Sequence, residues 1–180
     1  MIATELKDER KNLKGEIVRP LVAELRLGIA VIEGIDDHVY TRFLDGAGSV
    51  GGQFRHNLDF VNGFLKGIFE GRIDYSDRER NPFIEINRDY ATGKTRAAIA
   101  CLARLPETLL IKDVSVRSEI SPQMWFASSA ARELEFIHSH TVHHHALIAE
   151  KLRAFGLSAP AHFGVSRSTL KYRESAQANT

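Results

Sequence analysis

One cysteine, Cys101, stands in a chain of 180 residues. A single thiol excludes an intrachain disulfide framework and any zinc cage assembled from several thiolates. Its neighbours Ala100, Leu102 and Ala103 suggest a small buried hydrophobe rather than a nucleophile. Charge of one sign is also lacking: 24 Lys and Arg face 23 Asp and Glu, for a net +1. No bulk electrostatic case therefore exists for nucleic acid or an anionic membrane as partner. Apolar runs stay well short of the about 20 residues a membrane span needs. The first fifteen residues hold the charged run ELKDERKNLK and no leader-like apolar stretch, so a cytoplasmic protein is expected. Internal repeats and low-complexity segments are absent from the sequence. With 43% hydrophobic and 26% charged residues, the composition is that of one ordinary globular domain over residues 1–180, with a core at about 16–155.

Histidine is what the chain has in a special place. Five of its eight histidines lie between Arg132 and Leu152 (RELEFIHSHTVHHHALIAEKL). As a helix at about 100° per residue, this stretch gathers Leu134, Phe136, Ile137, Leu147, Ile148 and Leu152 on one side. His140 and His144, at i and i+4, sit within that apolar arc, with His143 at its edge. His138 and His145 are expected on the far side. Two imidazoles on a buried face are costly unless their nitrogens find partners. A divalent metal is one such partner, and i,i+4 is the helical spacing that offers it two ligands. Hydrogen-bonded core histidines are the plainer alternative.

The rest of the chain supplies the setting. Met1–Gly15 is a charge-rich lead. Ile17, Leu21, Leu25, Ile29 and Ile32 recur at helical spacing and predict a first helix over 16–35, with Pro20 early enough to be tolerated. His38–Gly48 reads as a connection. Ser49 is a good N-cap for a second helix over 49–69, whose stripe runs through Phe54, Leu58, Val61, Leu65 and Ile68. His56 stands at the margin of that stripe, with Asp59 near it. Gly71–Asn87 reads as loop, from which Arg78 or Arg80 could reach an anionic group. A third helix covers 88–105 and stops at Pro106. Leu109–Val116 and Met124–Ala127 are candidate strands of a hairpin turning at 119–122. Ser128-Ser129 caps the histidine helix and Gly156 ends it. The tail, 157–180, shows little periodicity.

Four long helices joined by short connections predict an all-α bundle, with sites built from inward-facing side chains. His56, His140 and His144 would offer three neutral nitrogens, leaving an open fourth position of the kind catalytic metals use. Asp59 and Glu133 are the candidates for fixing the imidazole tautomers. A di-iron carboxylate site needs two Glu-x-x-His elements and the chain has one, Glu135–His138. Gly93-Lys94-Thr95 lacks the earlier glycine of a phosphate loop. Residues 163–173 (FGVSRSTLKYR) resemble a recognition helix, with Arg167, Lys171 and Arg173 for phosphates. The near-neutral charge and Pro160 stand against a helix-turn-helix DNA-binding role.

Two stretches, SVGGQFRHNLDF (Ser49–Phe60) and RELEFIHSHTVHHHALI (Arg132–Ile148), resemble the DinB-like superfamily of metal-binding four-helix bundles. This group is related to bacillithiol- and mycothiol-dependent transferases. His56 matches its first metal histidine, and His140 with His144 its H-x-x-x-H pair. The resemblance spans about residues 16–155. It implies an up-down-down-up bundle, a divalent zinc, nickel or iron ion, and a homodimer. The function expected from it is metal-dependent chemistry, thiol S-transfer or hydrolysis, on a small molecule that could be a low-molecular-weight thiol. Arg55 or Arg78 would steer an anionic substrate. The alternative is a non-catalytic metal-binding or structural, stress-related bundle.

Overall fold

The computed structural model describes residues 12, 14–44 and 46–178, so most of the charged lead lies outside the described residues. A π-helical turn, Lys14–Val18, runs into α1 (Arg19–Gly34), where Pro20 sits in the first turn and needs no hydrogen bond. The short α2 (Asp37–Thr41) is capped by Asp36, whose carboxylate accepts from the Val39 N–H at 2.8 Å. Ser49 caps α3 (Val50–Gly67) through its hydroxyl, which accepts from the Gly52 N–H at 2.9 Å. A two-residue strand β1 (Arg72–Ile73), a short α4 (Pro82–Ile86) and the long α5 (Arg88–Arg104) follow. Next come α6 (Glu107–Leu110), β2 (Asp113–Arg117) and β3 (Trp125–Ser129). The histidine helix α7 spans Ala130–Ala154, with Ser129 accepting from Arg132 N–H at 3.2 Å. A last helix, α8, covers Arg167–Ala178.

The four long helices α1, α3, α5 and α7 share one hydrophobic core. Helix α3 packs on both α5 and α7, and α1 packs on the same two. Leu21 and Leu25 of α1, Phe54 and Leu58 of α3, Leu102 of α5 and Leu134 of α7 are nearly inaccessible, each worth roughly 1.5–3 kcal/mol of burial.

Several boundaries differ from those expected from sequence. Leu109 and Leu110 belong to α6, because both side chains are drawn into the core and β2 starts only at Asp113. The strands are no simple hairpin: β2 pairs antiparallel with β3 but also parallel with β1, giving a three-stranded sheet ordered β1-β2-β3. The segment read as loop at 71–87 thus contributes a strand and α4. The tail forms α8, and Cys101 is exposed, because it faces outward from α5 while its neighbour Leu102 turns toward the core and Ala103 is exposed beside it.

Glycines in α3 report close approach. A Cβ on Gly51 would lie 2.1 Å from the Glu85 carbonyl oxygen, so α4 rests directly on the α3 backbone. Gly93 of α5 has nothing within 4 Å of such a Cβ. The same substitution should therefore have opposite signs in two helices. Gly93→Ala is predicted to stabilise by about 0.5–1 kcal/mol through helix propensity alone. Gly51→Ala is predicted to destabilise by about 1–3 kcal/mol, because backbone must move. Urea midpoints of the two variants check this, and a stabilised Gly51→Ala would contradict the packing described.

Candidate metal centre

Helix α3 presents His56 and α7 presents His140 and His144 to the seam between them. One nitrogen from each of the three imidazoles lies within 4.8 Å of the others, and no further His, Cys, Asp or Glu of the described residues joins the group. Ring centroids are 5.3 Å apart for His56–His140, 4.6 Å for His56–His144 and 4.4 Å for His140–His144. The seam is keyed by a polar contact deeper in the core, where Thr141 donates through Oγ1 to Asn57 Oδ1 at 3.1 Å. Asn57 and Thr141 are 2% and 0% exposed, so this bond holds the register of α3 against α7.

The ring nitrogens have assignable roles. Gln53 lies one turn before His56, and its Oε1 accepts from His144 Nδ1 at 2.7 Å. That bond puts the proton on Nδ1 and the lone pair on Nε2, which faces His140 Nε2 at 3.2 Å. His140 Nδ1 is buried with no hydrogen-bond partner. In the metal-free state His140 can donate its Nε2–H to His144. Metal binding would replace that proton and shift it to the unpartnered Nδ1. Phe60 stacks on the His140 ring at 4.0 Å, with Tyr75 and Phe136 packed around it, which shields one side of the site from water.

These surroundings keep the imidazoles uncharged. Burial, reinforced by neighbouring His56, lowers His140 to about 4. Burial and the adjacent His140 lower His144 to about 3, and burial with the Arg78 charge lowers His56 as well. At neutral pH the group therefore offers lone pairs. Three converging neutral nitrogens and a fixed Nε2 fit a divalent cation.

The other expected site residues fall elsewhere. Asp59 is buried and accepts from Arg55 Nη1 and from the Arg80 backbone N–H, both at 3.2 Å. It is anchored to the neighbouring loop, and the tautomer-setting bond is made by Gln53. Glu133 accepts from Tyr75 Oη at 2.9 Å and Ser128 Oγ at 2.6 Å, tying β3 and the 74–77 turn to α7. Two turns separate it from His140, so it too is a scaffold residue. Arg55 is committed to Glu85 at 3.1 Å and Asp59, whereas Arg78 is left with a buried Nε lacking a partner. His145, expected on the far side of α7, is 1% exposed. It bonds Glu24 of α1 at 2.7 Å and stacks on Phe163 at 4.2 Å. Helix α7 has core on more than one side, so a one-faced reading misplaced this residue. Leu147, expected on the core side, is 37% exposed.

Gln53 could have been found: at i−3 from His56 it shares the face that meets α7. Arg167, Lys171 and Arg173 lie on α8, but residues 155–166 separate it from α7. A helix-turn-helix uses a turn of roughly 3–4 residues.

No known protein family's sequence profile matches this chain, and no solved structure matches it. A stretch of 104 residues, 56% of the chain, is 38% identical to FK506-binding protein 5 of Rhizopus delemar. The chain spans only 27% of the length of that relative.

The lowered histidines set an acid dependence. Folded His140 and His144 resist protonation that the unfolded chain accepts from about pH 6.5 downward. Their contribution to stability is full above that pH and declines as pH falls toward 4. In metal-free protein, the urea midpoint should drop more between pH 7 and 4.5 for wild type than for a His140→Asn, His144→Asn variant. Equal drops would contradict burial of neutral imidazoles.

Proposed function

We propose that the chain is a DinB-like, divalent-metal-binding four-helix bundle of up-down-down-up type that acts on a small molecule. The observation that carries this reading is the convergence of His56, His140 and His144, with their ligand nitrogens within 4.8 Å and the His144 tautomer set by Gln53. Zinc, nickel or iron would each suit three imidazoles. When bound, such an ion supplies Lewis acidity and lowers the pKa of a water or thiol at its open position. The residues of the chain do the remainder. The three imidazoles hold, Gln53 fixes a ring, and Phe60, Tyr75 and Phe136 restrict water on one flank. Thiol S-transfer and hydrolysis are the two reaction types this arrangement can serve, with a low-molecular-weight thiol as the natural partner of the first. A homodimer in the cytoplasm completes the proposal. No helix of the described residues is long and apolar enough to cross a membrane. FK506 binding, in the name of the Rhizopus delemar relative, belongs to that protein, and nothing in the three-histidine geometry calls for it.

A non-catalytic metal-binding bundle would share the same ligands, and activity assays against thiols and esters separate the two readings. The first test is elemental analysis of purified untagged protein. Near-stoichiometric metal is expected in wild type and should be lost in a folded His140→Ala, His144→Ala variant. Wild type that stays metal-free after incubation with zinc, nickel and iron contradicts the proposal. Gln53→Leu should keep the site but weaken metal affinity by about 10–100-fold. Unchanged affinity in a chelator competition would mean that Gln53 does not set the ring.

A further inference from the structure

Three arginines are near enough in sequence to serve the site, and the structure separates them. Arg55 is held between Glu85 and Asp59 at 3.1 and 3.2 Å. Arg80 has an exposed side chain and is fixed only through its backbone N–H, which Asp59 accepts at 3.2 Å. Arg78 is different. Its side chain is 20% exposed, and the nearest carboxylate oxygen, on the half-exposed Glu119, is 3.9 Å away. Its Nε is buried without a hydrogen-bond partner. Its guanidinium carbon lies 5.5 Å from the centroid of Phe60, a ring that also contacts His56 at 5.0 Å and stacks on His140 at 4.0 Å.

The loop that carries Arg78 is fastened to α3 two residues further on, through Asp59. Arg80 adopts φ 51°, in the left-handed region that favours glycine, and the Asp59 bond to its N–H holds it in that state. Charge balance adds a second argument. Three neutral imidazoles bring no negative charge to offset a divalent cation, and Asp59 is already paired with Arg55. The carboxylate facing Arg78, that of Glu119 at 3.9 Å, is half exposed and beyond hydrogen-bonding distance. An anionic ligand is what this combination lacks.

We propose that Arg78 is the anion receptor of the three-histidine site, so that the small molecule bound there carries a carboxylate. This rests on the metal reading above. A guanidinium offers paired donors in a plane that a carboxylate matches, which a lysine in its place would not. Arg78 is thus a specificity-determining residue and does not hold the metal. Glu119 is the exposed carboxylate that a ligand would displace from the neighbourhood of its Nη2.

The test uses the cobalt-loaded protein and three small thiols whose sulfur reports occupancy by its charge-transfer absorption. These are mercaptoacetate (anionic), 2-mercaptoethanol (neutral) and cysteamine (cationic). Wild type should bind mercaptoacetate about tenfold or more tightly than 2-mercaptoethanol, the discrimination of one charge-assisted contact. Cysteamine should bind weakest. Arg78→Gln should lose that preference while keeping its cobalt stoichiometry and its affinity for 2-mercaptoethanol, and Arg78→Lys should fall between. Equal binding of the three thiols by cobalt-loaded wild type, or a preference retained in Arg78→Gln, overturns the proposal. Failure of wild type to retain cobalt at all overturns the metal reading and this one with it.

Discussion

The seam between α3 and α7 is the constraint on which the rest depends. Most of the contact surface of these helices is apolar, but at one level it carries polar groups that must satisfy each other. Asn57 and Thr141 bond in the core, Gln53 accepts a hydrogen bond from His144 Nδ1, and His56 meets the two α7 histidines. A slip of either helix by one residue would leave several buried donors and acceptors without partners, at about 1–3 kcal/mol each. Chemistry and register are thus enforced by the same side chains.

Elements outside the seam serve it. Helix α4 presses on Gly51 and positions the start of α3, while Tyr40 donates to the Ile84 carbonyl at 2.6 Å to hold α4 down. Tyr75 links the loop after β1 to Glu133 and lays its ring against Phe60. On the opposite side of α7, Glu24, His145 and Phe163 bind the helix to α1 and to the tail. Lys151 donates to the carbonyls of Ala47 and Gly48, at 3.2 Å for the latter, tying α7 to the turn before α3. The histidine helix is therefore braced along its length.

Much of this was legible in the residues. Periodicity located the four long helices, Ser49 and Ser129 marked two of their starts, and the i,i+4 pair with His56 is the trio that the fold brings together. What the sequence concealed has physical causes. Periodicity assigns one apolar face, and α7 is covered on several, so His145 is buried and Leu147 is partly exposed. A carboxylate near a histidine looks like its partner, yet Asp59 and Glu133 are engaged by Arg55, Arg80, Tyr75 and Ser128, and a neutral glutamine takes the role. Short elements such as β1 and α4 have too few residues for any period to show, because their existence depends on what they pack against.

X-ray absorption at the metal edge of the loaded protein tests the central claim most directly. The account predicts a first shell containing three imidazole nitrogens, identified by the outer-shell scattering of their rings. That signal should disappear in a folded variant lacking His140 and His144. A shell of oxygen alone, or one with a single imidazole, would contradict it and leave the three histidines as core residues that satisfy one another.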